Sequence, residues 1–320
     1  MSFSRRQFGI GLAAAGTIAT PFLRAAQASC PFRVSVINDE ISQDLDHACS
    51  VAAREFGLEW IELRGWWDKN ITELDLADIE RSVAIVKKYN LRVTDIASPL
   101  FKTDWPGAPQ SKESPKRDQF HADFDFKRQD DLLEHCIGLA KTFGTDRVRC
   151  FDFWRLDDQK PYRQAIDDKL RSAARIAAKS GVILLLENEM SCNTATGEEA
   201  ARTLTAVPEP NLMLNWDPGN AATFAGNVPF PDGYNLLPKN RIGHCHAKDV
   251  TRKPDGKWEW APVGAGVVGW PEQLHALAHD GYHYAVSLET HWRGAGTPEE
   301  STRVSMKGLK ESLAKAGVGC

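Results

Sequence analysis

Val182-Ile183-Leu184-Leu185-Leu186-Glu187-Asn188 is an apolar run that ends abruptly in a carboxylate. Continuous rather than alternating hydrophobicity marks a strand covered on both faces, as in a parallel sheet. A segment of helical spacing, Gln164–Lys179, precedes it, and the pattern repeats in both directions. Toward the N-terminus lie RVSVIN (Arg33–Asn38), WIELR (Trp60–Arg64), RVTDIA (Arg92–Ala97) and RVRCFD (Arg147–Asp152). Toward the C-terminus lie LMLNWD (Leu212–Asp217), RIGHCHA (Arg241–Ala247) and YAVSLE (Tyr284–Glu289). Helical spacing also occupies Asp44–Phe56, Leu76–Lys88, Asp130–Phe143 and Pro271–His279, with Thr297–Lys315 as a closing helix. Strands alternating with helices build βαβ units. Eight such strands predict an α/β fold, a single (β/α)8 TIM barrel over residues 29–320. A doubly wound open sheet is the alternative, weakened because no Gly-x-Gly-x-x-Gly follows the first strand.

Composition narrows the function. The chain has 320 residues with 43 Asp+Glu against 39 Lys+Arg, a formal charge of −4. That balance excludes an electrostatically driven nucleic-acid binder. No apolar run after residue 30 is long enough to span a bilayer, so no membrane span is expected in the mature protein. The first residues read as an address. Ser4-Arg5-Arg6-Gln7-Phe8 leads an apolar run from Gly9 to Leu23, followed by Ala26-Gln27-Ala28. This predicts a twin-arginine signal over residues 1–28, the twin-arginine translocase as a partner during export, and a periplasmic location.

The chain has 7 cysteines and no Cys-x-x-Cys pair, so a Cys-rich zinc site is not expected. Cys136, Cys150 and Cys245 read as core residues, and an exported protein can form a disulfide that the sequence does not assign. Two connections exceed ordinary loops: Ser98–Phe126, which holds Trp105 and His121, and Thr251–Trp270, where Lys253–Lys257 suggests a hairpin turn flanked by Trp258 and Trp260. Both follow the C-terminal end of a strand and are lid candidates, with a plain surface excursion as the alternative for each.

Each of the last four strands ends in a metal-ligand type: Glu187, Asp217, His246 and Glu289. A carboxylate buried at the end of an apolar strand needs a cation or partner to offset its desolvation. Four such ends converge at one mouth of a barrel. One imidazole among three carboxylates suits one divalent metal ion, with Mn²⁺ expected and Mg²⁺, Co²⁺ or Zn²⁺ as alternatives. His244 and His246 are taken to face opposite sides of their strand, which leaves His246 to reach the mouth.

The stretches LLLEN, NWDPGN, HCHAKD and VSLETHW, with Val263-Gly264-Ala265-Gly266 and Gly269-Trp270 before a helix, resemble the xylose isomerase-like TIM-barrel superfamily of sugar isomerases and epimerases. The resemblance covers the mature chain. It implies that Glu187, Asp217, His246 and Glu289 hold the metal, and that Glu187 and Glu289 carry acid and base steps. It further implies substrate contacts at Arg252 and Glu62, although Glu62 can instead pair with Arg64. Asn220 and Lys248 are further expected substrate contacts, and Trp105 with them. Two positions depart from ketose 3-epimerases: Asn220 stands where they carry histidine, and GAGVVG lacks their acid.

The ligand set implies proton transfer beside a carbonyl. Returning the proton to the same carbon gives epimerisation, to its neighbour isomerisation, and loss of a β-oxygen gives elimination. Trp66, Trp67, Phe101, Trp105, Trp154, Trp258 and Trp292 offer faces for sugar stacking. No glycine-rich phosphate cradle is evident, so the expected substrate is a free sugar or keto-sugar. The alternatives are a lyase acting on a 3-keto-glycoside or inosose-like substrate, and a non-catalytic sugar-binding barrel. Homo-oligomers are common in the family, but no interface signature stands out.

Overall fold

The computed structural model describes residues 30–112, 124–224 and 226–320. The expected export signal and His121 lie outside these residues. The barrel strands are β1 (Arg33–Val36), β2 (Trp60–Leu63), β3 (Arg92–Leu100), β4 (Arg147–Cys150), β5 (Ile183–Glu187), β6 (Leu212–Trp216), β7 (Ile242–Ala247) and β8 (Ala285–Leu288). They form one 8-stranded parallel sheet in the order β1-β8-β7-β6-β5-β4-β3-β2. A parallel bridge between Ile37 and Glu62 joins its two edges. Helices alternate with the strands, so the fold is the expected (β/α)8 barrel.

Local signals explain where helices start. Asp75 accepts from the Asp78 amide ahead of Leu76–Lys88. Thr196 and Glu199 form a reciprocal capping box for Gly197–Ala206, a helix not singled out from the sequence. Asp217 caps a short helix, Pro218–Thr223, directly after β6. The expected Asp44–Phe56 helix is regular only over Leu45–Ser50 and widens by one residue per turn across Val51–Glu55.

Two glycines of the quoted motifs are required by close approach. A Cβ on Gly219 would stand 2.9 Å from the Lys248 carbonyl oxygen, and one on Gly266 would stand 2.2 Å from Asp249 Oδ1. The GAGVVG stretch is instead a set of amide donors. The amides of Gly264, Gly266 and Val268 all donate to the Asp249 carboxylate.

The hairpin predicted after His246 is present: Asp249–Arg252 pairs antiparallel with Trp258–Ala261. Cys30 is disulfide-bonded to Cys320, a pairing with no local sequence signal. The remaining cysteines are free and buried. Burial pushes the thiols of Cys49 and Cys136 up to about 12, so they are inert core residues. Among the described residues, no helix is long and apolar enough to cross a membrane.

Candidate metal and proton-transfer site

The four strand-end residues converge. Glu187, Asp217, His246 and Glu289 each present one ligand atom, all within 4.8 Å of one another, and all four side chains are buried. His246 Nδ1 is 3.2 Å from Glu187 Oε1 and 3.2 Å from Glu289 Oε2. Asp217 Oδ2 lies 3.8 Å from the same nitrogen. They come together because register aligns the strand ends: Glu187 is paired with Asn215, and Ser287 with His246.

A set of cations surrounds the carboxylates. Arg149 Nη1 donates to Glu187 Oε2 at 3.2 Å, and Arg64 Nη1 donates to Glu289 Oε1 at 2.8 Å. Arg64 also reaches Asp39 and Glu40, and Arg293 meets Glu40 at 2.8 Å from the rim. Lys248 Nζ stands 2.9 Å from Asp217 Oδ2 and 2.5 Å from Glu289 Oε2. Burial alone would raise the Glu187 carboxyl, but the His246 ring and the Arg149 guanidinium hold it down, to about 2. Glu289 is likewise held well below the usual carboxylate range, against its burial, by Lys248, His291 and His246. Asp217 goes the other way: burial pushes it up and Lys248 only partly offsets this.

The donor set fits a divalent cation. Asp217 Oδ2 and Glu289 Oε2 are buried without a hydrogen-bond partner. The ammonium of Lys248 lies within ion-pair distance of both. Three buried carboxylates around one imidazole nitrogen, two of them sharing a single ammonium, form a ligand set for a hard or borderline cation.

The other expected contacts are distributed unevenly. Asn220 and Lys248 belong to the cluster: Asn220 Nδ2 donates to Glu187 Oε1 at 3.3 Å, and Lys248 donates to Asn220 Oδ1 at 3.1 Å. Glu62 is fully buried and pairs with neither Arg64 nor the open mouth. Its oxygens stand 3.0 Å from His246 Nε2 and 3.1 Å from His244 Nε2. The expectation that the two histidines face opposite sides does not hold. Positions two apart on a strand share a face, and both rings lie inside the barrel. Arg252 is not brought to the cluster; it is exposed and donates to Gly256 O within its own hairpin turn. Trp105 packs edge-on against Phe126 and Phe153.

Trp66, Trp154 and Phe101 are spent in the core. Trp260 lies beside the cluster, packed edge-on against His291 and 5.1 Å from Lys248 Nζ. Arg64, Arg149 and Glu40 are the site residues that sequence reasoning missed. Arg149 carries a signal in retrospect: an arginine inside an apolar strand must find an acid or carbonyl partner.

The fold is a (β/α)8 barrel with an acid-rich, single-imidazole cluster at its strand ends that could hold a metal ion. Residues 51–312 match the family described as xylose isomerase-like TIM barrel, and the chain belongs to that family. Among solved structures it is similar to the probable 3-DHS dehydratase of Bacillus anthracis, at 22% identity over 87% of this chain and 98% of that one, with a TM-score of 0.64. It is similar to a xylose isomerase-like TIM barrel protein of Mycobacterium smegmatis in complex with magnesium, at 16% identity over 91% and 99% of the chains, with a TM-score of 0.63. A D-psicose 3-epimerase with D-tagatose from Clostridium cellulolyticum matches at 16% identity over 89% and 99%, with a TM-score of 0.64. These likenesses are likenesses of fold. A search of curated proteins by sequence finds no match.

Proposed function

We propose that this protein is a divalent-metal-dependent sugar isomerase or epimerase that moves a proton beside the carbonyl of a free sugar or keto-sugar, through an enediolate. The observation that carries the reading is the convergence of three buried carboxylates, Glu187, Asp217 and Glu289, on the His246 ring, with ligand atoms all within 4.8 Å of one another. These four residues hold the ion, with Mn²⁺ expected. Bound there, a divalent ion polarises a substrate carbonyl and steadies negative charge on its oxygen.

The chain's own groups supply the rest. Glu187 and Glu289 sit three strands apart in the sheet order and both are ionised, so each can accept a proton. One removes the proton next to the carbonyl and the other returns one; each such step is worth typically about 10²–10⁴-fold. Arg149 and Arg64 fix the orientation of the two carboxylates from behind. Trp260 supplies an apolar wall beside Lys248.

Lys248 favours a second reading. A buried ammonium beside Glu289 and Asp217 is placed to protonate a departing β-oxygen, which would make the enzyme a lyase. The Cys30–Cys320 disulfide, together with the Arg5-Arg6 leader, supports export to an oxidising compartment, the periplasm.

The test is metal analysis by plasma mass spectrometry of the exported protein, followed by incubation in D₂O with free ketoses, aldoses and 3-keto-glycosides. One bound ion per chain and deuterium entering next to a carbonyl is the expected result. The labelled product separates epimerase, isomerase and lyase. A folded protein with no ion and no exchange overturns the reading and leaves a sugar-binding barrel.

A further inference from the structure

Glu62 reaches across the barrel interior from β2 to β7, and both of its oxygens are taken by imidazole nitrogens. Oε1 meets His246 Nε2 at 3.0 Å and Oε2 meets His244 Nε2 at 3.1 Å. All three side chains are fully buried. The two rings stand nearly perpendicular, at 87°, with centroids 5.2 Å apart. Behind His244, Asp95 Oδ1 lies 3.6 Å from Nδ1. An ionised carboxylate only accepts, so an imidazole nitrogen on each oxygen must carry the proton toward it. That places a hydrogen on His246 Nε2 and leaves the lone pair of the neutral ring on Nδ1. Nδ1 is the nitrogen that faces Glu187, Asp217 and Glu289.

We infer that Glu62 is a positioning residue: it fixes the tautomer and ring angle of His246 so that Nδ1 points into the metal cluster, and His244 holds Glu62 in turn. The inference rests on the proposed metal site. It replaces the reading of Glu62 as a substrate contact, since the side chain is fully buried and each of its oxygens already meets an imidazole nitrogen. The main-chain bridge from Glu62 to Ile37 anchors it further, because the same residue joins the two edges of the sheet. The backbone closes the barrel while the side chain orients a ligand on the far wall.

The experiment is titration of the metal-free protein with Mn²⁺, and with Co²⁺ followed by visible absorption, for wild type, Glu62→Gln and Asp217→Asn. The expected result is one ion per wild-type chain, a fall of about 10–100-fold in affinity for Glu62→Gln, and an altered Co²⁺ band shape in that variant. Thermal unfolding checks that Glu62→Gln is folded. If it is not, His244→Gln, which keeps a donor to Glu62, is compared with His244→Leu, which does not. A loss of several-fold in His244→Leu that His244→Gln restores supports the role. Unchanged affinity and Co²⁺ spectrum in a folded Glu62→Gln protein, or equal affinities in the two His244 variants, overturns it. A wild-type protein that binds no ion overturns the metal reading itself, which is a separate outcome.

Discussion

Cys30 is bonded to Cys320, so the first and last described residues are one disulfide apart across 290 positions of sequence. A link that closes almost the whole chain restricts the unfolded ensemble far more than the folded barrel, and such links are worth typically about 2–4 kcal/mol. Cys320→Ser should therefore melt on the order of 5–10 °C below wild type. Thiol titration of the unfolded, unreduced protein should find the five buried cysteines and not Cys30 or Cys320. Equal melting temperatures, with all cysteines reactive in protein taken from the periplasm, would remove both the stabilising bond and its support for export.

Glu289 is the most heavily engaged of the three carboxylates in the cluster, touched by Arg64, Lys248, His246 and His291. Glu289→Gln keeps the shape and removes both the charge and the proton acceptor. Deuterium exchange into substrate should fall by at least about 10²-fold. The fold should persist, because a neutral amide can still accept from Arg64. Exchange at the wild-type rate would move the proton-transfer role to another group.

The fold was legible because its signal is local. The run Val182–Leu186 and its seven counterparts state their own burial, and all the expected strands form. The four ligand-type residues were legible for the opposite reason: a charge at the end of an apolar strand is an anomaly that demands a partner. Their partners were not legible. Arg64 meets Glu289 across 225 positions and Arg149 meets Glu187 across 38, contacts set by barrel closure and strand register rather than by any local pattern. Arg252, six residues on from His246, lies in a hairpin and donates to Gly256 O within its turn, a local contact that the sequence did not show.

Glu40 gives a pH-dependent stability. Burial alone would raise its carboxyl, but Arg64, His291 and Arg293 hold it down, to about 2 from an ordinary 4.5. A carboxyl depressed in the folded state stabilises the protein fully above its unfolded pKa and loses that contribution as pH falls through the folded value. The window is therefore from about pH 4.5 down to about pH 2. The shift corresponds to about 3 kcal/mol. Glu40→Gln should be less stable than wild type by that order at pH 7, and the gap in chemical denaturation should narrow below about pH 4.5. A gap of constant size down to pH 3 would mean that Glu40 is not held as a paired anion.

Metal affinity should itself depend on pH, with a sign that His246 sets. Burial would lower this imidazole, but Glu62, Glu187 and Glu289 surround it and hold it well above its usual value. The ring therefore keeps a second proton in the metal-free protein at neutral pH. An ion that takes Nδ1 must displace that proton, so binding releases it and strengthens as pH rises. Mn²⁺ should bind more tightly at pH 8 than at pH 6, and calorimetry in buffers of different ionisation enthalpy should count the proton released. Saturation to 100 times the dissociation constant stabilises the fold by about 2.7 kcal/mol, a rise on the order of 5–10 °C in melting temperature. Asp217→Asn, which removes one of the three carboxylate charges from the cluster, should lose most of that rise. Affinity that is flat with pH, with no proton released, would place the ion away from His246 and put a different ligand in its position.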